Sequence, residues 1–423
     1  KGIRTLLDTV ALILGWLFLI IAAIPVTYFA IVTIAACLPE KKHSTDTKKL
    51  KFAVVIPAHN ESLLISETVK AALNQNYAKE DYKVLVIADN CTDDTAEKAR
   101  AEGADVFERT GPPGKGQALF NAFTFLLEEQ WDAFLIVDAD SLMHPDALSV
   151  LDQEMSEGAK VVQLRYAIRN PEDSIRTRAL ELGMASFNAL RPKGRTALGM
   201  SSGIFGNGFC ISREALENVP YLAHSIVEDI EYHIHLLLKG YRTVFTDRAC
   251  VYAEMPTSVE ASKTQRIRWE RGRWITIKSY AGQLFRNSLK GDKFSLDGLS
   301  DVLTPPATLI IYPLLGAAVF GDTTVRLLAL VLFLSLITRA FQEGSYTSNI
   351  KNAAKFYTGL IQLQNPEFGD SSSIDDVLPQ TNTFISAAKN NPNIDVVLPR
   401  VESFALAAKD ERSKGVMVLG VEP

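Results

Sequence analysis

Phe134-Leu135-Ile136-Val137-Asp138-Ala139-Asp140 is an apolar run that ends in two carboxylates one residue apart. In a continuing strand, residues two apart point to the same face, so both acids would meet at one sheet edge. There they could share one hard cation, which takes carboxylate and phosphate oxygens as ligands. A solvated turn is the other reading of such a pair, and the surrounding sequence decides between them.

Similar runs lie on both sides. Phe52-Ala-Val-Val-Ile-Pro57 reads as a short strand, and Ser66 to Gln75 as a helix with Val69, Ala72 and Leu73 on one face. Val84-Leu-Val-Ile-Ala-Asp89 is a second strand, followed by a helix from Asp94 to Glu102, and Val161 to Leu164 supplies a fourth strand after Phe134 to Val137. Continuous apolar strands alternating with helices specify a parallel α/β sheet covered on both faces. Ligands of such sheets bind beyond the carboxyl ends of the strands. Three of these strands end in polar signatures, Pro57-Ala-His-Asn60-Glu61, Asp89-Asn90-Cys-Thr-Asp93-Asp94 and Asp138-Ala-Asp140, so the site is polar and acidic.

Two common nucleotide readings fail on residues. Pro57 to Glu61 contains no glycine, which removes the G-x-G-x-x-G turn of a dinucleotide fold. Gly111-Pro-Pro-Gly114-Lys115-Gly116-Gln117 lacks the Ser or Thr that must follow the lysine of a P-loop, leaving a loop that carries one cation. Farther on come Gly206-Asn207-Gly208, Val227-Glu228-Asp229 and Gln265-Arg266-Ile-Arg268-Trp269-Glu-Arg271-Gly-Arg273-Trp274. The last cluster reads either as an interfacial helix with Trp and Arg at headgroup level or as guanidinium groups that clamp a departing diphosphate. His59, His233 and His235 show no ligand spacing and read as structural.

The chain has 423 residues, enough for two or three folding units. Its formal charge of -5 argues against a nucleic-acid partner. Cys37, Cys91, Cys210 and Cys250 are scattered without zinc spacing, as expected of unpaired thiols in a reducing compartment. Thr9 to Leu38 holds no charged residue, long enough to cross the roughly 30 Å hydrocarbon core of a bilayer. Lys41, Lys42, Lys48, Lys49 and Lys51 follow it, so the positive-inside rule places the next domain in the cytoplasm. Val302 to Gly321 is a second apolar stretch, interrupted by prolines, and Leu327 to Thr338 a shorter third.

Taken in this order, the motifs resemble the family 2 glycosyltransferases of GT-A fold, especially the membrane-embedded branch of cellulose, hyaluronan and poly-N-acetylglucosamine synthases. The resemblance covers about residues 50 to 280. It implies a Rossmann-like, mostly parallel sheet flanked by helices. It also implies an inverting transfer from a UDP-sugar to a glycan or lipid-linked acceptor, in cell-surface or exopolysaccharide synthesis. Pro57, Asn60, Glu61 and Asp89 would line the donor nucleotide pocket, with Asp89 accepting from uracil, and Lys115 and Asp138 beside it. Asp140, with Asp138, would hold Mg2+ or Mn2+ against the diphosphate. Asp229 matches the general base, with Glu228 the weaker candidate; a helix N-cap before Ile230 is the alternative role for this aspartate. Gly206, Asn207, Glu228, Gln265, Arg268 and Trp269 would bind acceptor and diphosphate.

The C-terminal part resembles something else. Phe341-Gln-Glu-Gly-Ser-Tyr346, Asn352-Ala-Ala-Lys-Phe-Tyr-Thr-Gly359 and Pro399-Arg-Val-Glu-Ser-Phe-Ala-Leu406 are similar to the first extracytoplasmic segment of an FtsX-like ABC permease of the lipoprotein-releasing type. The organisation expected is therefore a transmembrane helix over 1–38 and a cytoplasmic transferase domain over 39–300. A membrane region over 301–340, with one clear span, and a small α+β extracytoplasmic fragment over 341–423 would follow. The setting implied is a bacterial inner membrane, with membrane lipid and polysaccharide export proteins as partners. Two other readings accompany this one: a processive β-linked polysaccharide synthase, and a transport component or inactive fusion.

Overall fold

A computed structural model describes residues 2–39, 47–171, 177–178, 181, 184–223, 225, 227–254, 259–305, 307–336, 400–409 and 412–421. Within these, residues 2–5, 186, 259–266, 268–270, 307–308, 400–409 and 412–421 are described by their backbone alone. The chain divides into two compact units, Lys1–Ser345 and Tyr346–Pro423.

The first unit opens with helix α1 (Gly2–Ala36). Its Leu6–Ala36 segment is long and apolar enough to cross a membrane, judged by length and composition. The sheet region follows as β1 (Phe52–Ala58), α2 (Ile65–Leu73), β2 (Tyr82–Asp89), α3 (Thr95–Ala101), β3 (Asp105–Arg109), α4 (Lys115–Leu126) and β4 (Ala133–Ile136). Next come β5 (Ser141–Met143), α5 (Ala147–Ser156) and β6 (Val161–Ile168). A π-helical turn at Ser186–Leu190 leads into α6 (Arg191–Ala197), then β7 (Phe209–Ser212), α7 (Arg213–Asn218), α8 (Glu228–Leu238) and β8 (Thr243–Ala253).

These strands form one sheet in the order β3-β2-β1-β4-β7-β6-β8-β5. β1 pairs in parallel with β2 and β4, β2 with β3, and β6 with β8. β7 runs antiparallel between β4 and β6, and β5 antiparallel to β8. The sheet is mixed and mostly parallel, as the sequence implied.

Strand side chains alternate between two buried layers. Phe52, Val54 and Ile56 of β1 and Leu135 of β4 join Val69 and Leu148 on one face. Ala53, Val55, Phe134 and Ile136 join Leu119, Phe123 and Tyr232 on the other. Because helices cover both faces, the central strands β1 and β4 read as unbroken apolar runs.

After β8 come α9 (Val259–Leu289), α10 (Lys293–Leu303), α11 (Ala307–Phe320) and α12 (Thr323–Leu336). The Val302–Gly321 stretch is thus divided: its first residues close α10, and Pro305 precedes a helix of 14 residues. A helix needs about 20 residues to cross the hydrocarbon core, and within the described residues neither α11 nor α12 reaches that length. Instead Ile310, Leu314, Ala317, Val325 and Ala329 share a core with Leu19, Ala22, Val26 and Phe29 of α1. Gly15 allows this approach, since a Cβ there would lie 2.6 Å from Gly321 Cα.

The other end of α1 is fastened to the sheet domain. Gly194 of α6 abuts the Val32 carbonyl, leaving no room for a Cβ. Fully buried Arg195 donates to Tyr28 Oη of α1, to Asp297 Oδ1 of α10 and to Ser201 O at 2.6 Å.

Cys37, Cys91, Cys210 and Cys250 are free thiols, as their spacing suggested. In the second unit β9 (Arg400–Lys409) and β10 (Arg412–Val421) form an antiparallel hairpin. The Phe341–Tyr346 and Asn352–Gly359 motifs lie outside the described residues.

Candidate active site

Strand order reverses at β1: β2 and β3 extend to one side, and the chain returns to β4 on the other. The crevice beyond such a reversal is where open α/β sheets bind ligands, and the polar strand ends gather there. Asn60 and Glu61 follow β1, Asp89 ends β2, and Asp138 and Asp140 follow β4. β4 stops at Ile136, so the acid pair sits in a turn closed by Ser141 N–H to Asp138 O at 3.1 Å, not in a continuing strand.

On the β2 side, Asp89 is buried and its Oδ1 accepts from Arg109 at the end of β3 and from Asn90 Nδ2. Its Oδ2 accepts the Gly114 N–H at 3.3 Å, and Arg109 also holds Pro112 O at 3.0 Å. The 110–114 loop is thereby pinned to Asp89, which delivers Lys115 at the start of α4. Asn60 lies at φ +56°, a left-handed conformation that asparagine tolerates, and its Oδ1 accepts the Thr92 N–H at 2.8 Å. His59 Nδ1 meets Asp89 O at 2.6 Å, a structural contact. Pro57 lies within β1, in register with Ile87.

Lys115 is the hub. Its Nζ donates to Asp138 Oδ1 and, at 2.6 Å, to Gly206 O. Burial disfavours its charge, but Asp138 and Glu228 outweigh that and raise its pKa. Gly206, at φ +76°, lies against Asp229: an added Cβ would be 3.2 Å from Asp229 Oδ2. Asp138, Lys115, Gly206 and Asp229 therefore form one continuous contact chain across the crevice.

Val227, not Asp229, occupies the N-cap position of α8; Asp229 sits in the first turn and accepts the Ile230 N–H at 2.9 Å. Burial raises the pKa of Asp229. Burial and then the neighbouring Asp229 raise that of Glu228. Burial and Asp138 raise Asp140, and burial with Asp140 and Asp138 raises Glu61. Such mutual elevation marks a site short of positive charge.

Among the described residues, no three His, Cys, Asp or Glu side chains converge as a metal cage. Asp138 and Asp140 offer two carboxylates, and two suffice for a cation that takes its remaining ligands from water and substrate phosphates. The donor set thus fits Mg2+ or Mn2+.

Gln265, Arg268 and Trp269 belong to α9, but their side chains lie outside the described residues. One described neighbour connects this helix to the site: Gly272 abuts Val227, where a Cβ would clash with the valine side chain. Asn207 is fully buried, its amide engaged by Asp138 N–H and by Ser141. Three residues beside the acids escaped the sequence reading: Ser141, Gln163 and Tyr166. Tyr166, on β6, bonds to Asn207, and burial with Asp138 and Asp140 raises its pKa. A glutamine inside Val161-Val162-Gln163-Leu164 was the visible signal.

The profile described as glycosyltransferase-like family 2 matches residues 50–272, more than half of the chain. The chain belongs to glycosyltransferase-like family 2. It is 28% identical over 257 residues to a Bacillus subtilis protein named "Probable glycosyltransferase YdaM", a match covering 58% of this chain and 60% of that protein. A Nostoc β-monoglucosyldiacylglycerol synthase is 27% identical over 60% of this chain and 55% of its own length. A Staphylococcus aureus poly-β-1,6-N-acetyl-D-glucosamine synthase is 26% identical over 52% and 53%. The family 2 chain thus spans between half and three fifths of these relatives. Among solved structures, the mannosyltransferase PcManGT from Pyrobaculum calidifontis, in complex with GDP-Man and Mn2+, superposes with a TM-score of 0.51 at 18% identity. That match covers 83% of this chain and 99% of the other, a likeness of fold.

Proposed function

We propose that the chain is an inverting, metal-dependent glycosyltransferase that moves a sugar from a UDP-sugar to a glycan or lipid-linked acceptor at the cytoplasmic face of a membrane. The observation that carries this reading is the contact chain from Asp138 through Lys115 and Gly206 to Asp229. It links the acid pair that would bind the cation to a half-buried carboxylate across one crevice.

An acceptor hydroxyl is a weak nucleophile, and Asp229 would take its proton as the oxygen attacks the anomeric carbon. The new C–O bond forms as the bond to the diphosphate breaks, and the electron pair leaves with the diphosphate. One displacement inverts the anomeric centre, so an α-linked donor gives a β-linked product. The Lys115 ammonium would offset the charge that develops on the leaving group. A divalent cation held by Asp138 and Asp140 would supply further charge neutralisation at the phosphate oxygens. Asp89 Oδ2 receives one internal donor, so it keeps capacity to accept from the base. Asn60 and Glu61 would complete that wall. Gly206, Glu228 and the Gln265, Arg268 and Trp269 segment would serve the acceptor and diphosphate, whereas Asn207, fully buried with both amide groups engaged, would serve them only by holding the acid turn.

Helix α1 would anchor the enzyme, with membrane lipid around its exposed residues such as Ile13, Ile20 and Ile24. The names of the relatives divide between a glycolipid and a polymer product, which supports leaving both acceptor classes in the test. The permease-like reading of the C-terminal unit stays a proposal, as does an export partner.

Membranes carrying the chain, incubated with a panel of UDP-sugars and Mn2+ or Mg2+, test this. UDP release that EDTA and Asp140→Asn both abolish supports the reading. Release indifferent to both, or release with no UDP-sugar although the chain is folded, counts against it.

A further inference from the structure

The turn carrying Asp138 and Asp140 has no ladder of its own, yet it rests on a buried amide network. Asn207 Oδ1 accepts the Asp138 N–H at 3.1 Å, and its Nδ2 donates to Ser141 Oγ at 2.9 Å. Ser141 Oγ in turn donates to Asp140 Oδ1 at 2.9 Å. Behind them, Gln163 Nε2 donates to Asn207 O at 2.8 Å and to Leu164 O at 2.9 Å, while its Oε1 accepts the Phe205 N–H at 3.0 Å. Ser141, Gln163 and Asn207 are all fully buried.

A glutamine between valine and leucine on a buried strand is costly unless every amide group is paired. Here the pairing goes to the 205–207 segment, whose own side chain holds the acid turn. Gln163 lies opposite Phe209 in the β6–β7 ladder, so it couples the rigid sheet to that segment. We propose that Ser141, bonded directly to Asp140, and Gln163, acting through Asn207, are positioning residues for the Asp138 and Asp140 carboxylates, and that they set the affinity of the site for its divalent cation. The proposal rests on the metal-dependent reading above. Groups that orient metal ligands are typically worth about 10–100-fold in affinity or activity.

The test compares full-length protein in detergent as wild type, Ser141→Ala, Gln163→Met and Asp140→Asn. Mn2+ binding, alone and with UDP, is followed by the loss of the free-ion paramagnetic resonance signal, and the Mn2+ half-saturation of turnover is measured alongside. Both positioning variants should bind Mn2+ about 10–100-fold more weakly. Their half-saturation should rise by the same factor, with kcat recovering at high Mn2+. A merely structural role would lower the melting temperature and leave the half-saturation unmoved, and that result overturns the proposal. Should Gln163→Met fail to fold, Ser141→Ala, which removes a single hydroxyl, decides the matter. If wild type and Asp140→Asn bind Mn2+ alike, the metal reading itself falls and takes this proposal with it.

Discussion

Gly206→Ala probes the contact between the 205–208 segment and Asp229. Gly206 sits at φ +76°, where a side chain costs about 1–2 kcal/mol. Against a typical total stability of roughly 5–15 kcal/mol, the variant folds, with melting lowered by about 2–4 °C per kcal/mol. Function responds more strongly. The new methyl would lie 3.2 Å from Asp229 Oδ2 and 3.6 Å from its Cβ and Cγ, so the carboxylate must yield by a few tenths of an ångström. The same residue's carbonyl holds Lys115, so the base and the cation shift together. A displacement of 1 Å can cost about 10²-fold in rate; a fraction of that distance should cost about tenfold. Steady-state UDP release should therefore show a lowered kcat with a donor KM close to wild type. An unchanged kcat in a variant whose melting temperature has fallen would refute the claim that this contact places the base.

Other outcomes follow from the same structure. Because burial raises the Asp229 pKa and a base must be ionised, kcat/KM should climb with pH along a limb above the ordinary aspartate value. Lys115→Met removes a cation that favours ionised Asp229 and should move that limb higher still, as a pH–rate profile will show. Burial, with Arg195 and Arg191 nearby, lowers His233 to about 3, whereas an unfolded histidine titrates near 6.5. The unfolded state then binds the proton first, so stability is lost as pH falls from about 6.5 toward 3, by about 2 kcal/mol at pH 5. Denaturant unfolding at pH 7 and 5 should show this loss, and His233→Asn should remove it. Arg195→Met leaves Asp297 buried without its partner and should cost about 3–5 kcal/mol, read by thermal unfolding in detergent. Replacing Asp297 with leucine in the same protein should recover much of it.

Four of the eight strands, β1, β2, β4 and β6, were legible because they are apolar runs, and three of those runs stop at the polar residues of the candidate site. Asp138, Asp140 and Asp89 could be named for that reason, whereas Asp229, in the first turn of a helix, was reached only through the family resemblance. What stayed hidden depends on contacts between distant segments. Gln163 meets Asn207 across 44 positions, and Arg195 meets Asp297 across 102; neither separation leaves a local pattern. Strand and turn both stay open for Asp138–Asp140 in the sequence, because the closing bond of the turn, Ser141 N–H to Asp138 O, has no composition signal. Pro305 was visible within Val302–Gly321, and it lies where the apolar stretch divides between two helices.

The most direct test of the account is the turnover of Asp229→Asn beside wild type, at saturating donor and Mn2+, with UDP binding measured on both proteins. The account predicts that UDP binding persists while turnover falls by about 10²–10⁴-fold, the scale of a lost general base. Wild-type turnover in Asp229→Asn would contradict it.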